Sequence, residues 1–284
     1  MADLLRPTAV ADLPAGQVEY RLDRRGETVV AVFHGGHVRA GLALGEDVFA
    51  AAGCTLLVPS RPGYGRTPLS TGRSVEGYTD VVRALCAQLG VTRVAAVVGV
   101  SGGGPTAATM AARHADLVER LILVSAVGWL PYPDRLTRLG AHVGFTAMTE
   151  PVTWAAIRGL ARVAPEACLR LMLANLSTRP VGEVVAALRA EDRSMLLELF
   201  AQMRSGRGFL NDLRPTPDIT AQIDQPTLVI ASRTDRGVPF AHAQWFAGAI
   251  RHADLVESRA DSHFVWLGPD WPEIAVRIRA FLGT

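Results

Sequence analysis

Lysine is absent from this 284-residue chain, and all 29 basic residues counted with it are arginine. That excludes mechanisms built on a lysine amine, such as a Schiff base. The bias is of the kind that a GC-rich bacterial genome imposes on codon use. Cysteine is scarce too. Cys54, Cys86 and Cys168 stand far apart in apolar segments, which argues against a disulfide framework or a metal site and fits reduced, buried thiols. No apolar run approaches the roughly 18 residues of a membrane span. The opening Met-Ala-Asp-Leu-Leu-Arg-Pro lacks the basic, apolar and small-residue succession of a secretory signal. Charge of one sign is also missing: the formal net charge is +2 and the arginines are scattered, so no nucleic-acid partner is expected. The expectation is a cytoplasmic protein that engages neither membrane nor nucleic acid.

What the chain does have is apolar patterning, with 49% hydrophobic residues, and a length that allows one large core or a core with an insertion. Thr28 to Phe33, Thr55 to Pro59, Arg93 to Val98, Leu121 to Ser125 and Thr227 to Ser232 read as buried parallel strands, each followed by a glycine- or proline-marked turn. Helical patterns over Val75 to Leu89, Gly104 to His114, Phe240 to Ile250 and Trp271 to Phe281 separate or follow them. Alternation of this kind predicts an α/β fold. It stops between Gly128 and Pro217, where Pro151 to Val163, Glu166 to Leu176 and Val181 to Met203 look helical. The spacing predicts a core over 1–127 and 218–284, interrupted by a helical cap over 128–217. Prolines flank that segment, as where a chain leaves and rejoins a sheet.

Residues 94 to 103 run as an apolar strand into Gly99-Val100-Ser101-Gly102-Gly103. A serine at the tip of a sharp strand-to-helix turn adopts a strained backbone, and glycines on both sides avoid the collisions that side chains would cause there. Ser101 is the candidate nucleophile. A serine hydroxyl needs a base, and the base an orienting carboxylate. Asp235 follows the last buried strand, at the sheet edge where ligands of open α/β sheets gather. His263 lies in a loop before the final helix. Asp261, two residues from His263, is too close in sequence to meet its ring end-on. His114, His142, His242 and His252 lie in or beside helices and are read as packed or solvated.

A tetrahedral intermediate needs donors for its oxyanion. Gly102 supplies an unpaired amide at a helix start, and the second amide is expected from His34-Gly35-Gly36-His37, after the strand ending at Phe33. His34 and His37 as metal ligands would make a weak zinc motif. No metal and no cofactor is expected.

With these parts together, the chain resembles the α/β-hydrolase superfamily over nearly its whole length. The motifs are His34-Gly35-Gly36, Arg61-Pro62-Gly63-Tyr64-Gly65-Arg66-Thr67, Gly99 to Gly103, Asp235 and His263. The resemblance implies a mostly parallel sheet flanked by helices with an inserted cap. It implies Ser101 as nucleophile, Asp235 as acid, His263 as base and the amides of Gly36 and Gly102 as the oxyanion hole, with Gly35 as the alternative to Gly36. Relatives that open epoxides or remove halogens carry an aspartate where this chain has Ser101, and proline iminopeptidases carry tryptophan where it has Gly102. What stays open is cleavage of an ester, thioester or lactone, cleavage of an activated carbon–carbon bond, a perhydrolase reaction, or ligand reception without turnover. The substrate is expected to be a small molecule. Met148, Met172, Met195 and Met203, with Trp129 and Trp154, fall in the cap segment, so an apolar acyl or aromatic pocket is expected there, unless those residues only pack the cap on itself.

Overall fold

The computed structural model describes residues 4–133 and 135–284. Strands β1 (Ala9–Leu13) and β2 (Gly16–Asp23) form an antiparallel hairpin. β3 (Val29–Phe33), β4 (Thr55–Pro59), β5 (Ala96–Val100), β6 (Leu121–Val124), β7 (Thr227–Ser232) and β8 (Ala253–Ser258) run parallel to one another. The sheet order is β1-β2-β4-β3-β5-β6-β7-β8. This is the expected α/β-hydrolase architecture, a mostly parallel sheet flanked by helices.

Two differences from the sequence expectation concern the sheet. The strand expected over Arg93 to Val98 is displaced to Ala96–Val100 and runs without a break into Ser101. β1, β2 and β8 were not anticipated. Each has exposed or half-buried positions mixed with buried ones, because they sit toward the sheet edges, where one face meets solvent and no continuous apolar run is needed.

The central strands bury both faces. Ala31 and Phe33 of β3 point to one core with Leu57, Val97, Leu121 and Val229, and Val30 and Val32 point to the other with Val58, Val98, Ile122 and Ile230. Alternate side chains of a strand face opposite ways. α2 (Val75–Gln88) and α3 (Gly104–Arg113) cover the first face, and α1 (Asp47–Ala51) and the C-terminal helix cover the second. Ser74 starts α2 by accepting a hydrogen bond from Gly77 N at 3.1 Å, a local N-cap.

Between β6 and β7 come α4 (Arg135–Gly144), α5 (Glu150–Val163), α6 (Pro165–Leu173), α7 (Val181–Ala187), α8 (Ala190–Gln202) and α9 (Gly208–Asp212). The single helix expected over Val181 to Met203 is two, broken where Leu188 and Arg189 turn extended at ψ 134° and 156°. Arg193 satisfies carbonyls freed by the break, donating to Leu188 O and Val185 O. The inserted helices build their own core around Trp154, Leu169, Leu196 and Phe200, and that core continues into Val38, Leu42 and Phe264 beside the sheet's carboxyl edge. α10 (Ala241–Ala249) and α11 (Trp271–Leu282) complete the chain, and α11 ends on Gly283 in the left-handed conformation at φ 76°.

Candidate active site

Among the described residues, three that are not glycine have positive φ: His37 at 67°, Ser101 at 52° and Ser125 at 44°. Each follows the carboxyl end of a neighbouring strand, β3, β5 and β6 in turn. Left-handed backbone costs a non-glycine residue about 1–2 kcal/mol and collects where the surroundings over-determine it. At Ser101 the reason is steric. A Cβ on Gly99 would lie 2.8 Å from Ala107 Cβ, one on Gly103 2.0 Å from Phe33 O and one on Gly104 2.7 Å from Val127 O. The turn closes only because those three residues lack side chains.

The loop after β3 passes directly over the serine. A Cβ on Gly35 would sit 2.7 Å from Ser101 Cβ and 3.1 Å from its Oγ, and one on Gly102 would sit 3.5 Å from Gly36 N. The backbone of Gly35, Gly36 and Gly102 therefore crowds around Ser101. His34 turns away from it: Nε2 meets Glu46 Oε1, and Glu46 also accepts from Arg21. His37 Nδ1 meets Ser205 Oγ at 2.7 Å. Among the described residues no group of three or more His, Cys, Asp or Glu side chains is placed to hold a metal ion.

His263 Nδ1 lies 2.7 Å from Asp235 Oδ2, and Asp235 Oδ1 accepts from Val238 N at 2.8 Å. The Asp235 carboxylate is fully buried. A carboxylate only accepts, so Nδ1 carries the hydrogen and Nε2 of the neutral ring is left as an acceptor. Asp261 does not take part, because its carboxylate meets Arg179. The histidine loop is fixed at both backbone atoms: His263 N donates to Leu176 O at 2.8 Å, and His263 O accepts from Ser125 Oγ at 3.0 Å.

Ser101 Oγ makes no hydrogen bond among the described residues. Serine and histidine are joined through the loop after β6, where Val127 N donates to Ser101 O at 2.9 Å and Ser125 holds the His263 carbonyl. Hydrogen bonds between nucleophile and base are often loose until substrate is bound.

Sequence reasoning missed a second tier. Arg61 donates through Nε to His34 O at 2.8 Å and through both terminal nitrogens to the Asp212 carboxylate, which also accepts from Tyr64 Oη. Arg61 is 5% exposed; the paired Asp212 carboxylate raises its pKa against the opposing effect of burial. Asp212, at the end of α9, and Ser205, in the loop before it, come from the inserted segment, and nothing near them in sequence marks them as partners of residues 151 or 168 positions away.

The four methionines do not form the apolar pocket expected of them. Met203 is buried in the insertion's own core, Met172 and Met195 pack against that core, and Met148 is 86% exposed. Trp154 is buried in the same core, and Trp129 stacks near Trp245 and Phe246. None of the six lines either of the described cavities. No helix among the described residues is long and apolar enough to cross a membrane.

The sequence and the fold have parallels in known proteins. The chain is 30% identical over 273 residues to an uncharacterised hydrolase of Bacillus subtilis, YcgS, covering 94% of this chain and 95% of that one. It is 26% identical over 227 residues to a 2-hydroxy-6-oxononadienedioate/2-hydroxy-6-oxononatrienedioate hydrolase of a Pseudomonas species, covering 75% and 74%. An α/β hydrolase fold protein from Nakamurella multipartita superposes with a TM-score of 0.83 at 26% identity, over 97% of this chain and 99% of that one. The sequence profile of the alpha/beta hydrolase fold family matches residues 32–269, and the chain belongs to that family.

Proposed function

We propose that the chain is a serine hydrolase that cleaves a carboxylic ester, thioester or lactone through an acyl-enzyme. Ser101 is the nucleophile, His263 the base, Asp235 the orienting acid, and the amides of Gly36 and Gly102 receive the oxyanion. Residues 128–217 act as the cap. The observation that carries this reading is the 2.7 Å bond from His263 Nδ1 to a fully buried Asp235, together with a serine held at φ 52° at the end of β5.

In this reaction Ser101 Oγ attacks the acyl carbon as its proton passes to His263 Nε2. The carbonyl oxygen becomes an oxyanion facing Gly36 and Gly102, each such donor supplying about 3–4 kcal/mol of transition-state stabilisation. The imidazolium, steadied by Asp235, returns the proton to the departing alcohol. Water then attacks the acyl-enzyme with His263 again as base, releasing the acid and restoring Ser101.

The orienting carboxylate is tested with para-nitrophenyl esters. Asp235→Asn is expected to lower kcat by roughly 10⁴-fold, since the amide favours the wrong tautomer, while Asp261→Asn keeps most of the activity. The reverse pattern overturns the assignment. A second reading, hydrolysis of an activated carbon–carbon bond, is favoured by the relatedness to the Pseudomonas hydrolase. It uses the same three side chains, and side-by-side turnover of an ester and a vinylogous diketone separates the two.

A further inference from the structure

A cavity of about 420 Å³ adjoins the site, with Gly102 in its wall. Its wall is mixed, apolar at Pro62, Val75, Pro105 and Pro217 and charged at its arginines. Arg61 lines it with its charge already matched by Asp212. Arg73 and Arg214 line it as well, are exposed, and have no carboxylate partner among the described residues. Glu76, on the same wall, offsets one of these two charges, which leaves a single positive charge unmatched.

Two neutral groups in the wall also lack partners. Thr106 is 4% exposed and its hydroxyl makes no hydrogen bond among the described residues. Asn211 Oδ1 is buried and unpartnered, while its amide nitrogen donates to Arg73 O. Buried polar groups are normally satisfied, and an unsatisfied hydroxyl and amide oxygen on two residues that line one cavity mark a place for a polar ligand. The unmatched charge suits a monoanion better than a phosphate dianion, and paired guanidiniums favour the planar oxygens of a carboxylate.

We infer that this cavity receives a carboxylate borne by the substrate, so the ester cleaved at Ser101 carries a second, free acid group. The carboxylate lies between Arg73 and Arg214 with Thr106 as a further donor. The inference rests on the proposed ester hydrolysis and gives its substrate class. It replaces the plain alkyl or aryl group expected from the methionines.

The test compares two pairs of esters, each an acid beside a neutral counterpart. On the acyl side, mono-para-nitrophenyl glutarate is set against para-nitrophenyl pentanoate; on the alcohol side, para-carboxyphenyl butyrate against para-carboxamidophenyl butyrate. In at least one pair the acid is expected to have a kcat/KM about tenfold higher or more, as charge-assisted hydrogen bonds imply. The ratio is expected to fall to near parity in the R73Q/R214Q double variant, and free glutarate should compete with the neutral ester in the wild type but not in that variant. Equal or faster cleavage of the neutral ester in both pairs, or a ratio that survives the double substitution, overturns the carboxylate site and leaves ester hydrolysis standing. Failure of all four esters to turn over overturns both.

Discussion

His37 Nδ1 and Ser205 Oγ lie 2.7 Å apart, and this contact ties the glycine loop after β3 to the helical insertion. Ser205 also accepts from the Trp154 indole at 2.8 Å, and its own amide donates to Glu150 Oε1 at 2.8 Å. His37 O accepts from Arg204 N, and the imidazole is surrounded by Phe145, Trp154 and Phe209 with ring centroids 4.1–5.1 Å away. The residue directly after Gly36 is thus held from the insertion by its backbone, its ring and its nitrogen.

Removing that contact should affect stability and turnover together. Ser205→Ala strands the buried Trp154 indole N–H, at a cost of about 1–3 kcal/mol in urea unfolding, and kcat falls because the Gly36 amide loses its support. At His37, Asn keeps the tolerance of left-handed backbone and a polar atom near the Nδ1 position, whereas Val loses both. His37→Asn is expected to retain much more kcat than His37→Val. Equal activity in the two variants would contradict the role given to this residue.

Glycine substitutions separate folding from catalysis. An alanine at 103 drives its Cβ to 2.0 Å from Phe33 O, a backbone collision, so Gly103→Ala is expected to unfold at markedly lower urea. At 35 the collision is with Ser101, so Gly35→Ala should lose turnover out of proportion to stability. Gly53, at φ 72° with no atom within 4 Å of an added Cβ, serves as control: alanine there costs about 1 kcal/mol of backbone strain and leaves turnover intact.

The Arg61–Asp212 pair joins the loop after β4 to the insertion. Asp212→Ala leaves a guanidinium that is 5% exposed without its counter-charge, a loss of about 3–5 kcal/mol for a buried pair broken on one side. Urea denaturation checks this. A change below about 1 kcal/mol, the ordinary value for a surface pair, would show that the bridge is solvated.

Stability should fall as pH drops below neutrality. The rings enclosing His37 push its pKa down to about 3, and burial lowers those of His114 and His242 below the usual value. Unfolded, each titrates near 6.5. The unfolded chain therefore binds more protons below that pH, and the folded state loses stability as pH falls through about 6.5, for His37 down to about 3. The urea midpoint is expected to be flat above pH 7 and to decline from 6.5 to 5, above the range in which carboxylates titrate. His37→Phe should reduce that slope. An unchanged slope would place the proton uptake elsewhere.

The sheet's centre and the turn at Ser101 were legible because each rests on a local pattern. β4 and β7 match their apolar runs residue for residue, and the glycines around Ser101 mark the sharp turn that follows β5. Asp235 and His263 were legible from order and loop position, and they meet. The edge strands were hidden because half-exposed strands carry no continuous apolar run. The supporting tier was hidden for another reason. Ser125, Ser205 and Asp212 act through partners distant in sequence, which leave no periodicity. The methionines misled because softness suits a helix–helix core as well as a pocket.

The central claim is that Ser101 forms the acyl-enzyme. The direct measurement is intact-protein and peptide mass spectrometry after reaction with a fluorophosphonate, run beside ester turnover of the wild type and Ser101→Ala. One adduct per chain on the peptide bearing Ser101, with neither adduct nor turnover in Ser101→Ala, is the predicted result. An adduct on another residue, or ester turnover that persists in Ser101→Ala, would contradict it.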